Sequence, residues 1–261
     1  MHRNLLTFMA LSLLPLTLAG QQLSTQDKAL LDSARAKYYN LELHGLESFT
    51  CSVDFDFATI PYLPTSDKEA DRKLLEATVF QIKVDRNGST VQHAYPASAT
   101  DQEQKRVAPT TNLLLSLISG LFQTWPSKGL RGPIPAFDSQ IDGVETVANG
   151  YVIKLHGAGE KAHIELDKDY LVTRIVTFNG TIDETPIYEM TADGLIYTGN
   201  AARDTSNPSN PVDVHYEIKS ATVDGLRLPE LIRLNVNQNI DTSFTLNKCI
   251  VSKGIVMKLK P

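Results

Sequence analysis

The chain has 261 residues, 42% of them hydrophobic and 21% charged, with a formal net charge of -5. That composition excludes a disordered chain, a collagen-like repeat and a small disulfide-dense scaffold. With 30 acidic residues against 25 basic ones and no basic run, general affinity for nucleic acid or anionic membrane is not expected, and partners should be neutral, apolar or specific.

Residues 1–20, MHRNLLTFMALSLLPLTLAG, place one firm positive charge, Arg3, before an apolar run from Leu5 to Leu18 and the small residues Ala19 and Gly20. This is the three-part pattern of a secretory signal peptide, with cleavage expected after Ala19. The run is shorter than the roughly 20 residues of a membrane-spanning helix, and no later stretch approaches it. Residues 21–261 are therefore expected to form a periplasmic or secreted mature chain without a transmembrane span, long enough to bury a substantial core.

Export makes Cys51 and Cys249, the two cysteines of the chain, candidates for one disulfide. Alternation groups Cys51 with Phe49, Val53, Phe55 and Phe57 but groups Cys249 with Thr245 and Asn247, so simple parity puts the thiols on different faces. A bulge, or a sheet covered on both sides, would reconcile them. Two separate buried thiols are the alternative.

From Ser24 to about Leu46, Leu30, Leu31, Ala34, Tyr38, Leu41 and Leu46 recur at helical spacing, with Ser24 or Thr25 as cap and Gly45 as stop. FTCSVDFDF then alternates as a strand with one wet face. A charged helix is expected from about Ser66 to Ala77, and a β-hairpin from Val79 to Tyr95 turning at Asn87-Gly88. Next, PTTNLLLSLISGLFQTWP carries Leu113, Leu114, Leu115, Leu117, Ile118, Leu121, Phe122 and Trp125 without a charge. A helix apolar around most of its circumference should be buried on nearly all sides. Gly120 in its middle suggests close packing or a helix that can shift.

Beyond about Ile141, strands are expected at Tyr151–Leu155, Ala162–Leu166, Leu171–Phe178, Thr181–Met190, Leu195–Thr198, Val212–Ser220, Leu231–Val236 and Ser243–Val251, broken by Asp-, Asn- and Gly-rich turns. Connections this short permit hairpins and not helical crossovers, so the sheet should be antiparallel. AARDTSNPSNP is expected as a polar loop.

Motifs of chemistry are sparse. GAGEKA at Gly157–Ala162 has the spacing of a dinucleotide fingerprint but lies between strands, where no helix N-terminus can receive a phosphate. No P-loop, nucleophile elbow or paired Cys-x-x-Cys occurs. His163 with Glu165 and His215 with Glu217 each project from one face of a strand, which two neighbouring strands could turn into a metal site. The simpler reading is a solvated sheet face with ion pairs. Asp54 with Asp56, and Asp167 with Asp169, read as exposed strand and turn residues rather than as an acid and base pair. No catalytic residue, metal ligand or cofactor is expected.

The order of a leader, a first helix, a long antiparallel sheet and an apolar helix in mid-chain resembles the bacterial lipoprotein-carrier (LolA/LolB-like) superfamily of outer-membrane lipoprotein-sorting proteins. Two stretches of the second half carry the closest likeness. ELDKDYLVTRIVTFNG resembles an Asp-rich turn leading into a strand of that family, and SATVDGLRLPELIRL resembles its strand-turn-strand near the end. The matching residues are Asp167, Tyr170, Leu171, Val172, Asp224, Gly225, Leu228 and Pro229. The resemblance covers about half of the mature chain. It implies an unclosed β-barrel with helices in the opening, in an exported protein that shelters acyl chains against the inner face of a curved sheet.

The expectation is thus a single α+β half-barrel domain over 21–261: a strongly curved antiparallel sheet with two or three helices packed in its concave side. Its expected function is non-catalytic binding of a lipid, acyl chain or other long apolar group in cell-envelope trafficking, with an envelope protein as a further partner. The cavity should be lined by Leu114, Ile118, Leu121, Phe122 and Trp125, joined by Phe55, Phe57 and Val214 from the sheet. The alternatives are an interaction module whose cavity is filled by its own helix, and a metal-dependent hydrolase using the two His-x-Glu pairs.

Overall fold

The computed structural model describes residues 23–60, 68–157 and 161–254. The leader, the start of the second helix and the centre of the GAGEKA turn lie outside the described residues. Among the described residues three α-helices, α1 (Thr25–Arg35), α2 (Lys68–Ala77) and α3 (Asp101–Thr124), accompany twelve strands. These are β1 (Leu46–Phe55), β2 (Val79–Asp85), β3 (Gly88–Ala94), β4 (Ile141–Val147), β5 (Gly150–Leu155), β6 (His163–Asp167), β7 (Val172–Thr177), β8 (Ile182–Thr191), β9 (Gly194–Asp204), β10 (Val212–Val223), β11 (Leu226–Val236) and β12 (Ile240–Lys253). Among the described residues no helix is long and apolar enough to cross a membrane.

The strands form one curved antiparallel sheet in the order β3-β2-β1-β12-β11-β10-β9-β8-β7-β6-β5-β4. The sheet is unclosed, with β3 and β4 at its edges. Chain order is kept throughout except where β1 pairs with β12, so the first strand clasps the last. Hairpin chemistry sets the turns: Asp224 and Gly225, both with positive φ (49° and 76°), connect the paired residues Val223 and Leu226, the arrangement that matches strand twist in a two-residue turn. Pro229 is accommodated in β11 beside a bulge at Glu230, since Lys219 pairs with Leu231 and Ser220 with Pro229.

Cys51 and Cys249 are disulfide-bonded, with Cα atoms 4.1 Å apart. The parity conflict is resolved by a bulge. Thr50 pairs with Ile250 and Ser52 with Asn247, so Cys51 faces two residues, Lys248 and Cys249, and Lys248 takes a positive φ of 49°. The extra residue returns Cys249 to the face of Cys51.

The register places both cores on one face of the sheet. Ile153, Ile164, Ile175, Glu184, Ala202, Val214 and Val236 lie opposite one another in succession from β5 to β11, and directly opposed residues share a face. At the β4–β7 side, Leu31, Ala34 and Tyr38 pack on Ile153, Ile164, Leu166, Val172 and Ile175. On the other side, Leu114, Ile118, Leu121, Phe122 and Trp125 share a core with Phe49, Val53, Phe80, Tyr216, Ile232 and Phe244. A half-buried ion pair, from Arg106 Nε to Oδ1 of the buried Asp71 at 2.5 Å, ties α3 to α2.

Several expected elements change in extent. α1 ends at Arg35, not near Leu46. Its start is a capping box in which Ser24 and Asp27 satisfy each other's backbone N–H groups. Tyr38 and Leu41 are buried for another reason: the chain after α1 runs beside β9, with Tyr39 N donating to Leu195 O and Leu195 N to Lys37 O. Gly194 permits this approach, since a Cβ there would stand 2.8 Å from Lys37 O. The β2–β3 hairpin forms as expected, but Asp85 pairs with Gly88, so its turn residues are Arg86 and Asn87. β4 was not anticipated. Ala201–Asp204, expected within a loop, belongs to β9. The apolar helix is longer than expected and contains Pro109, its capping box being Thr100 with Glu103. It is also not buried on nearly all sides: Leu113 is 39% exposed and Gly120 faces open space.

Candidate ligand-binding cleft

α1 packs with the β4–β7 end of this face and α3 with the other core, and α3 leaves part of the sheet beneath it uncovered. There, a cleft of about 310 Å³ runs between the C-terminal half of α3 and strands β8 to β11. Its helix side is Ser116, Leu117, Gly120, Leu121 and Thr124, which lie at three- and four-residue steps and so line one stripe. Its sheet side is Ile182 and Glu184 from β8, Asn200 and Ala202 from β9, Val212, Val214 and Tyr216 from β10, and Leu234 and Val236 from β11. These alternate along each strand and therefore face α3 together. A second, smaller void of about 130 Å³ lies on the other flank of α3, lined by Ile60, Leu113, Leu114, Leu117, Asn239, Ile240 and Thr242.

The cleft has a graded depth. Phe178, at the β7–β8 turn, is 69% exposed and marks the mouth. It opens a run of three positive φ values, 51° at Phe178, 59° at Asn179 and 86° at Gly180, a conformation that a bulky residue adopts only when held there. Ile182, Asp204, Val212 and Val236 are half-buried, while Glu184, Asn200, Tyr216 and Leu234 form the buried end.

That buried end is polar and mostly paired. Lys128 Nζ, 4% exposed, stands 2.6 Å from Glu184 Oε2, and Asn200 Nδ2 donates to the same oxygen at 2.6 Å. The Tyr197 and Tyr216 hydroxyls hydrogen-bond to one another. Burial pushes the Tyr216 phenol up to about 12 and the Tyr197 phenol well above its ordinary value, so both stay protonated. Among the described residues, the buried Tyr188 hydroxyl and Asn200 Oδ1 have no hydrogen-bond partner.

Protein-family models, curated proteins and solved structures were compared with the chain, and none matches. The site therefore rests on its own geometry.

Of the residues expected to line a cavity, Leu121 and Val214 line the cleft and Leu114 lines the smaller void. Ile118, Phe122 and Trp125 are packed in the core, 2% exposed or less. Phe55 and Phe57 border a surface depression beside α2 with Asp54, Asp56, Arg72 and Glu76. The sequence reading did not anticipate Glu184, Asn200, Tyr216, Leu234 and Val236, although the last four fall at alternating positions of β9 to β11.

A larger depression, about 780 Å³, lies on the opposite sheet face around Arg174, Asp183, Arg203, Asp213 and His215. Its charges are engaged with one another, Arg174 with Asp183 at 2.7 Å and Arg203 with Asp213 at 3.6 Å, which is the behaviour of a solvated sheet surface. The two His-x-Glu pairs form within their own strands, His163 to Glu165 at 3.0 Å and His215 to Glu217 at 3.8 Å. Three strands, β7, β8 and β9, separate β6 from β10. Among the described residues no group of three or more potential ligands gathers into a metal site. Asp167 is a turn residue whose Oδ1 accepts from the backbone N–H of Asp169 and Leu171, both at 2.9 Å.

Proposed function

We propose that the chain is an exported, non-catalytic binding protein that holds a lipid or other long apolar group in the cleft between α3 and β8–β11. The single observation that carries this is an apolar cleft of about 310 Å³ left open beside a well-packed core. That volume is about ten times what a water molecule occupies in the liquid, room for a chain on the order of ten heavy atoms. An unfilled apolar groove of this kind is the ordinary setting for small-molecule binding. The Cys51–Cys249 bond fits an oxidising compartment, and an unclosed, curved antiparallel sheet accompanied by three helices fits the lipoprotein-carrier likeness. A role in envelope lipid or lipoprotein transfer, with a protein partner, follows as part of the same proposal.

A second reading, a self-filled interaction module, draws support from the tight packing of Ile118, Phe122 and Trp125. Displacement of the neutral dye N-phenyl-1-naphthylamine separates the two. The carrier reading expects saturable dye binding, one per chain, reversed by decanol. A protein that neither binds the dye nor retains lipid in native mass spectrometry is not a carrier.

A further inference from the structure

We propose that the ligand is an amphiphile branched next to its headgroup, with one long and one short apolar arm seated on either side of Leu117. The inference rests on the cleft being a binding site and adds the shape of the apolar group that it selects.

The cleft and the smaller void share one wall residue, the half-buried Leu117 of α3. Its side chain therefore stands between the two spaces. Opposite it, Val236 lines the cleft and Ile240 lines the void. These two residues are directly paired where β11 turns into β12, so the sheet also sets the two spaces side by side on one face. That turn lies at the same end of the sheet as the Phe178 mouth, because Ile182, Asp204 and Val212 are paired in succession and Val214 pairs with Val236. On the helix, Leu113 and Ser116 are exposed neighbours three residues apart, one lining the void and the other the cleft. Both spaces thus reach solvent along one rim, with Leu117 as the ridge between them.

The volumes set the arms. The cleft, at about 310 Å³, takes on the order of ten heavy atoms, and the void, at about 130 Å³, takes about four. A straight chain occupies the cleft, leaves the void empty, and gains nothing by growing once the cleft is full. A chain forked beside its polar group straddles Leu117 and sends an arm into each space, while the headgroup stays at the rim near the exposed, polar Ser116 and Asn239. Each further methylene that leaves water in the short arm then adds to affinity. Two long arms exceed the void.

The test is dye displacement from the full mature chain by decanol and by two isomers that each add four carbons to it, 2-butyl-1-decanol and 1-tetradecanol. The isomers have the same composition and differ in shape. The branched one should bind about tenfold or more tighter than either straight alcohol. Narrowing the void by Ile240→Phe, or by Leu113→Phe should the first not fold, should remove its advantage over 1-tetradecanol. Tetradecanol binding as tightly as the branched isomer, or an advantage that survives in the folded variant, overturns the two-armed assignment while decanol binding still upholds the cleft. Failure of all three alcohols to displace the dye overturns both. Should neither variant fold, the wild-type series decides alone.

Discussion

Gly120 offers a perturbation in which stability and binding should move in opposite directions. It lies inside α3, lines the cleft, and a Cβ added there meets nothing within 4 Å. Replacing an interior helical glycine by alanine stabilises by about 1 kcal/mol, which for a chain of this size raises Tm by about 2–4 °C. Gly120→Ala should therefore be more stable and bind nearly as before. Gly120→Leu adds the same helical gain plus roughly 1–2 kcal/mol from covering apolar cleft surface. Its isobutyl group also takes the place of about three or four methylene-sized units in a cleft that holds on the order of ten. At about 0.8 kcal/mol for each buried methylene the ligand loses about 3 kcal/mol, close to a hundredfold in affinity. Urea unfolding measures the first effect and dye displacement by decanol the second. A destabilised Gly120→Leu, or one that binds decanol as wild type does, would refute the placement of this helix face over an open cleft.

Three further outcomes follow from the same structure. Removing the disulfide as Cys51→Ala with Cys249→Ala should cost up to about 5 kcal/mol, since a loop of 198 residues is released in the unfolded chain; reductant should lower the urea midpoint of wild type and leave the double variant unchanged. Lys128→Met leaves Glu184 buried and without its cation, at a cost of about 3–5 kcal/mol, and Lys128→Met with Glu184→Leu should recover most of that in urea unfolding, showing strong coupling. Alkaline conditions should unfold the protein through its buried phenols. Burial raises Tyr38, Tyr197 and Tyr216 above the ordinary tyrosine value, so their contribution is complete below about pH 10 and is lost as pH climbs toward and beyond about 12; phenolate absorbance should show these groups ionising together with loss of structure, and independent titration near pH 10 would contradict their burial.

Much of the sheet was legible because alternation is local. β10 reads directly from Val212, Val214, Tyr216 and Ile218, and Asp224-Gly225 announces its turn. β4 was hidden because IDGVETV carries Gly143, has a register shift between Ile141 and Gly143, and lies at an edge with little burial. The overlong first helix came from Tyr38 and Leu41, whose spacing suits a helix although contacts with β9 and the main core bury them. The uncharged apolar segment begins at Pro109, whereas the helix itself starts at the Thr-x-x-Glu capping box of Thr100 and Glu103. The candidate site was harder to read. Hydrophobicity singled out the most apolar residues of α3, and these are the ones that pack tightest. The open space faces Gly120 and the smaller or more polar positions, and its buried end joins Lys128 to Glu184 across 56 residues. Such a pairing has no local signature.

The most direct test is to see where a ligand touches. In a methyl-labelled sample of the mature chain, saturation with unlabelled decanol should give intermolecular contacts to the methyl groups of Leu121, Val214, Leu234 and Val236, with none to Leu43 or Ile250 on the exposed surface. Contacts scattered over the exposed methyls, or absent from all four cleft residues at saturating ligand, would contradict a binding cleft between α3 and the sheet.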